Sequence, residues 1–172
     1  MGYYGKCALC GKETELTFEH IPPRKAFNWF PQKTITGDNL INMVSEPNRN
    51  PWDTTGLQYR NDQRGMGKFT LCQECNNFTG SRYGNEYVAF AHGIHSVLLE
   101  HPCKNKEMIQ IKAEFKPLAV FKQIISMFCS VNHSFSENDD FSKLRKFVMD
   151  EKSNDFPKKR IRVTMYLFSG NL

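Results

Sequence analysis

Four cysteines and one histidine carry the chemistry that this sequence can do. Cys7-Ala-Leu-Cys10 and Cys72-Gln-Glu-Cys75 are two C-x-x-C pairs separated by an excursion of 61 residues, 11–71. Each C-x-x-C turn places two thiolates on one side of the backbone. Two such turns complete the four-coordinate shell that structural zinc prefers. Between the pairs stands Glu19-His20-Ile21-Pro22-Pro23, a carboxylate beside an imidazole, and Asn76-Asn77 follow the second pair at once. An imidazole that is neutral near pH 7 can take a proton from water, which makes His20 the natural general base.

Local signals say how these residues are held. Gly5 and Gly11 bracket the first pair, and residues 1–18 read as a short hairpin that presents it. Leu16-Thr17-Phe18 alternates into Glu19-His20-Ile21 as a strand. Pro22-Pro23 ends that ladder, because neither residue has an N–H to donate. In a strictly regular strand Glu19 and His20 point to opposite faces, so a shared site requires a bend. Lys68-Phe69-Thr70-Leu71 reads as the returning strand. After the second pair, Gly80 and Gly84 predict an interrupted helix start. Asn85 is then the expected N-cap of a helix running to about Leu99, with Tyr87, Phe90, Ala91, Ile94 and Leu98 facing a core.

The order of these pieces resembles the HNH endonucleases. Members with a zinc-binding knuckle pair show an acidic residue and His followed by Ile and Pro, a middle Asn, and Leu-Cys-x-x-Cys running into His or Asn. Here Glu19-His20-Ile21-Pro22, then Asn39 in Gly37-Asp38-Asn39-Leu40, then Leu71-Cys72-Gln73-Glu74-Cys75-Asn76 stand in that order, over about residues 7–85. The resemblance implies an α+β fold with a zinc-stapled ββα-metal module. It implies phosphodiester hydrolysis with His20 as general base, Glu19 and Asn76 as ligands of one divalent ion, and Asn39 bracing the loop that carries His20. A carboxylate and an amide oxygen suit Mg2+ or Mn2+ better than a second zinc. The zinc on Cys7, Cys10, Cys72 and Cys75 is then a staple that does not touch substrate.

Simpler readings stand beside these. Double C-x-x-C zinc ribbons are common interaction modules, and a catalytically idle module binding nucleic acid or protein is the alternative to an enzyme. Asn76, or Asn77, serves equally as a helix N-cap, and Asn39 as a turn cap. His92 and His95 share a helix face at i, i+3 but lack a third ligand, so core or surface roles are expected. Arg24, Lys25, Arg60, Arg64, Lys68 and Arg82 are candidate phosphate contacts that also read as solvated charges.

The chain has 172 residues, 40% hydrophobic, with a net charge of +5. That suits one domain, or a metal-stapled module with an appendage. The expected division is residues 1–99 as the module, with an insertion at about 24–68, and 100–172 as a helix-rich α+β accessory region that is a candidate protein-binding surface. Within the latter, Met108–Phe115 alternates like a strand, Pro117 opens an apolar helix to Phe128, Asp140 caps a short helix over Phe141–Met149, and Arg160–Phe168 is a final strand. No apolar run approaches a membrane span, and residues 1–6 lack a signal-peptide core. Clustered cysteines without an export signal point to reduced thiolates in a cytoplasmic setting. Cys103 and Cys129 stand alone and read as ordinary buried thiols. A charge of +5 is compatible with a nucleic-acid partner, with DNA the expected one, without demanding it.

Overall fold

The computed structural model describes residues 3–35, 37–46, 49–50, 53, 55–100, 114–133 and 138–164. It is a mixed α+β structure. β1 (Tyr3–Lys6) and β2 (Glu13–His20) form an antiparallel hairpin whose turn carries the first cysteine pair. β3 (Gln32–Ile35) and β4 (Tyr59–Asp62) pair with each other, with helix α1 (Gly37–Ser45) between them in sequence, so the expected insertion holds a small unit of its own. β5 (Gly67–Cys72) returns to the first sheet, giving the order β1-β2-β5.

The β2–β5 pairing is irregular at one point. Thr17 faces Leu71 but Phe18 faces Phe69, so Thr70 is an extra residue in β5. Such a bulge breaks the two-residue alternation and re-aims a side chain. Accordingly Lys68 and Phe69 are both exposed, whereas Thr70, Leu71 and Cys72 are all buried. Gly67, opposite His20, leaves no room for a side chain. A Cβ there would lie 2.2 Å from the Glu19 carbonyl oxygen and 2.6 Å from the Phe18 ring.

α2 (Gln73–Thr79) begins directly after β5, with Cys72 as its N-cap. It continues through a π-helical turn, Gly80–Gly84, into α3 (Asn85–Glu100). The glycines that predicted an interruption therefore mark a widened turn inside a continuous helix. Asn85 has helical backbone angles there and is not a cap. Tyr83 uses the turn to reach inward, where it is buried and its hydroxyl donates to the Val148 carbonyl at 2.7 Å. Tyr87, Phe90, Ala91, Ile94 and Leu98 are half-buried.

α4 (Pro117–Val131) starts with proline in its first turn, where the missing N–H costs nothing. α5 (Asp139–Met149) is capped by Asn138, whose side chain accepts from the Asp140 amide at 2.8 Å, so the expected cap moves two residues upstream. The predicted strand over 108–115 lies outside the described residues up to position 113, and 114–115 are not strand. Residues 161–164 are irregular rather than a final strand, and 165–168 and Cys103 lie outside the described residues.

One core crosses the expected division at residue 99. Cys7, Leu16 and Leu71 pack in the same buried cluster as Ile125, Leu144 and Phe147. At roughly 1.5–3 kcal/mol per fully buried large apolar side chain, the sheet and the two later helices stabilise each other. No described helix is long and apolar enough to cross a membrane.

Candidate metal centre and adjoining cavity

The two C-x-x-C turns meet because the β1–β2 turn and the β5–α2 junction sit at the same end of the sheet. The four Sγ atoms of Cys7, Cys10, Cys72 and Cys75 lie within 4.8 Å of one another, and Cys10 Sγ is 3.9 Å from Cys72 Sγ. Tetrahedral ligands at about 2.3 Å from a metal stand about 3.8 Å apart, so the cluster fits. The Cys72 amide donates to Cys7 Sγ at 3.3 Å and the Cys75 amide to Cys72 Sγ at 3.5 Å. The Cys75 thiol, and then backbone N–H groups, hold Cys7 well below the usual thiol range. These four cysteines can hold a metal ion such as zinc. Cys129, by contrast, is a buried lone thiol pushed up to about 12 by desolvation.

A cavity of about 300 Å³ opens beside this centre, between the end of β2, the loop after it, the α2–α3 helix and α4. Glu19, His20, Arg24, Lys25, Asn76 and Gln123 all line it. Three sequence candidates for chemistry, His20, Glu19 and Asn76, are therefore brought to one place. Glu19 is only 5% exposed, and its Oε2 accepts from Ser130 Oγ at 2.5 Å and Thr70 Oγ1 at 3.3 Å. The bulge is what turns Thr70 toward it. Burial raises the Glu19 carboxyl to about 7, against the pull of those two hydroxyls. His20 is half-buried, edge-on to Phe18 with ring centroids 5.1 Å apart. Asn76 Nδ2 donates to Thr17 Oγ1 at 2.9 Å and to the Phe18 carbonyl at 3.4 Å. It straps α2 to β2 rather than capping the helix, a task that falls to Cys72.

The middle asparagine sits within the inserted unit. Asn39 is half-buried on α1 and donates to the Gln58 carbonyl at 3.3 Å, tying α1 to the run before β4. The loop that follows His20 is braced by Asn28. Asn28 is buried, donates to the Pro22 and Met66 carbonyls at 2.6 Å each, and accepts from the Met66 amide at 2.7 Å. Gly65, at φ +81°, lets the chain pass close, since a Cβ there would lie 2.4 Å from the Asn28 carbonyl oxygen. The only sequence signal for Asn28 was its place in Asn28-Trp29-Phe30-Pro31, which reads as a turn.

The cations sort by position. Arg24 and Lys25 are exposed and line the cavity. Phe27 anchors their loop to α3, packing against the rings of His92 and His95 at 4.5 and 4.6 Å. His92 Nε2 also meets the Lys25 carbonyl at 2.8 Å, so both histidines act in packing. Arg64 sits 5.7 Å from the Phe18 ring centroid. Lys68 lies exposed along a different hollow, with Ile21 and Met66. Arg82 pairs with Glu151 at 3.4 Å on the surface, and Arg60 with Asp62 at 3.9 Å. Asn77 is exposed and does not line the cavity. No family model, no curated protein and no solved structure matches this chain.

Proposed function

We propose that this chain is a metal-dependent endonuclease of HNH type, hydrolysing phosphodiester bonds in nucleic acid, with DNA the expected substrate. The observation that carries the reading is the convergence of His20, Glu19 and Asn76 on one cavity whose lip bears Arg24 and Lys25. Zinc on the four cysteines is structural: it clamps the β1–β2 turn to the start of α2 and leaves the cavity to other groups. His20 takes the proton from the attacking water. Glu19 and Asn76 hold a Mg2+ or Mn2+ ion. When bound, that ion supplies charge stabilisation at the scissile phosphate and the leaving oxygen. Arg24 and Lys25 position the phosphate backbone, and Asn28 fixes the loop on which both stand.

A second reading, a catalytically idle metal module that binds nucleic acid or protein, is favoured by one observation. Glu19 has given Oε2 to two hydroxyls and is raised to about 7, as a structural carboxyl would be. Plasmid nicking with Mg2+ or Mn2+ decides between the two. His20→Ala is expected to lower the rate roughly 10²–10⁴-fold with nucleic-acid binding kept, the usual contribution of a positioned base. Nicking by His20→Ala at nearly the parental rate would sustain the second reading.

A further inference from the structure

The apolar helix α4 carries an unexpected polar line. Gln123, Ser126 and Ser130 are all buried, at spacings that place them on one face. Ser130 serves Glu19. Gln123 is 3% exposed and lines the cavity, yet its Oε1 has no hydrogen-bond partner among the described residues. A buried acceptor left without a donor is costly, so something from outside the chain is expected to meet it.

Several nearby donors are committed within the chain, while His20, Arg24 and Lys25 stand at the cavity with Gln123. Thr70 and Ser130 donate to Glu19. Asn76 Nδ2 is committed to Thr17 and Phe18. The Lys122 ammonium is held by the Asp150 and Glu151 carbonyls. Ser126 Oγ, one turn along from Gln123, is itself unpartnered. Beside them the cavity gathers three oxygen-bearing side chains, Gln123 with its unpartnered Oε1, Asn76 with its Oδ1, and Glu19 with the oxygen that accepts neither hydroxyl. An all-oxygen set of one carboxylate and two amide carbonyls is the chemistry of a hard divalent cation.

We infer that Gln123 supplies the third protein oxygen of the divalent-cation site, so that α4, from the second half of the chain, completes it. This rests on the endonuclease reading only in its cation site. The test is a titration of the zinc-loaded full chain with Mn2+, read as free Mn2+ by electron paramagnetic resonance, with zinc content measured in parallel. Gln123→Met keeps the volume and removes the acceptor, and is expected to weaken Mn2+ binding about tenfold or more with zinc content unchanged. Gln123→Glu, which adds a charge to the same position, is expected to bind at least as tightly as the parent. Gln123→Met binding Mn2+ like the parent overturns the inference and leaves the cation site standing. A parent that binds no Mn2+ beyond its zinc overturns the cation site, and the inference with it.

Discussion

Ser130 Oγ donates to Glu19 Oε2 at 2.5 Å across 111 residues of sequence, joining α4 to the strand that ends in His20. The bond shows how the two halves of the chain are related: the sheet provides the acidic group and the later helix sets its environment. Thr70 completes that environment only because the β5 bulge turns it inward.

Breaking the cysteine cluster should be the most damaging single change. Cys72 is at once a cluster member, the last residue of β5 and the N-cap of α2. Zinc binding is worth on the order of 10–16 kcal/mol in zinc-finger peptides. Cys72→Ser is therefore expected to lose its zinc and its cooperative melting transition, as measured by elemental analysis and calorimetry. Full zinc content with an unchanged melt would remove the metal centre from the account.

The Asn28 clamp predicts a contrast between two asparagines. Asn28→Ala deletes three part-buried hydrogen bonds and takes the partner from the Pro22 carbonyl and the Met66 amide, while the Met66 carbonyl keeps the Ile21 amide. The expected cost in urea unfolding is about 2–4 kcal/mol. Any nicking rate should also fall roughly tenfold or more, because the loop after His20 loses its fixed position. Asn39→Ala, which loses a solvent-exposed hydrogen bond to the Gln58 carbonyl, should cost less, about 1 kcal/mol. Equal effects at the two sites would mean that the clamp does not hold the loop.

Glu19 makes stability depend on pH. Its carboxyl is raised to about 7 by burial, so the folded state holds the proton more tightly than the unfolded one. The stabilising contribution is full below the unfolded value, near 4.5, and is lost as pH rises through about 7. The total is roughly 3 kcal/mol in the absence of added divalent ion. Glu19→Gln cannot ionise, so its melting temperature should gain on the parent's from about pH 5 to about pH 8. A constant gap between the two curves would show that Glu19 titrates like a surface carboxylate.

What was legible in the sequence was whatever depends on near neighbours. The C-x-x-C spacings, the hairpin around Cys7 and Cys10, the strand into His20 and the helix opened by Pro117 all follow from local patterns. Asn28 was not legible, because its partner Met66 lies 38 residues away and a turn residue looks the same whether or not it is buried. The Thr70 bulge was hidden for a similar reason: an inserted residue changes which face a side chain takes without changing the composition of the strand. Gln123 and Ser130 look like minor polar interruptions of an apolar helix until the sheet beneath them is known. Gly80 and Gly84 suggest an interruption because their usual effect is to end a helix, whereas here they sit in a π turn from which Tyr83 is buried.

The separation of the cysteine pairs also sets an order of events during synthesis. Cys10 and Cys72 are 62 residues apart in the chain, so at about 5–20 residues per second the first pair waits roughly 3–12 s on the ribosome for its partners. During that interval two thiols and the unpaired edge of β2 stand open. One of the two hydroxyls that meet Glu19 arrives later still, since Ser130 follows all four cysteines in the chain. The four cysteines are thus all available to a metal ion before Ser130 can reach Glu19. Slow decoding between the two cysteine pairs would lengthen the exposure of the first without altering the finished protein.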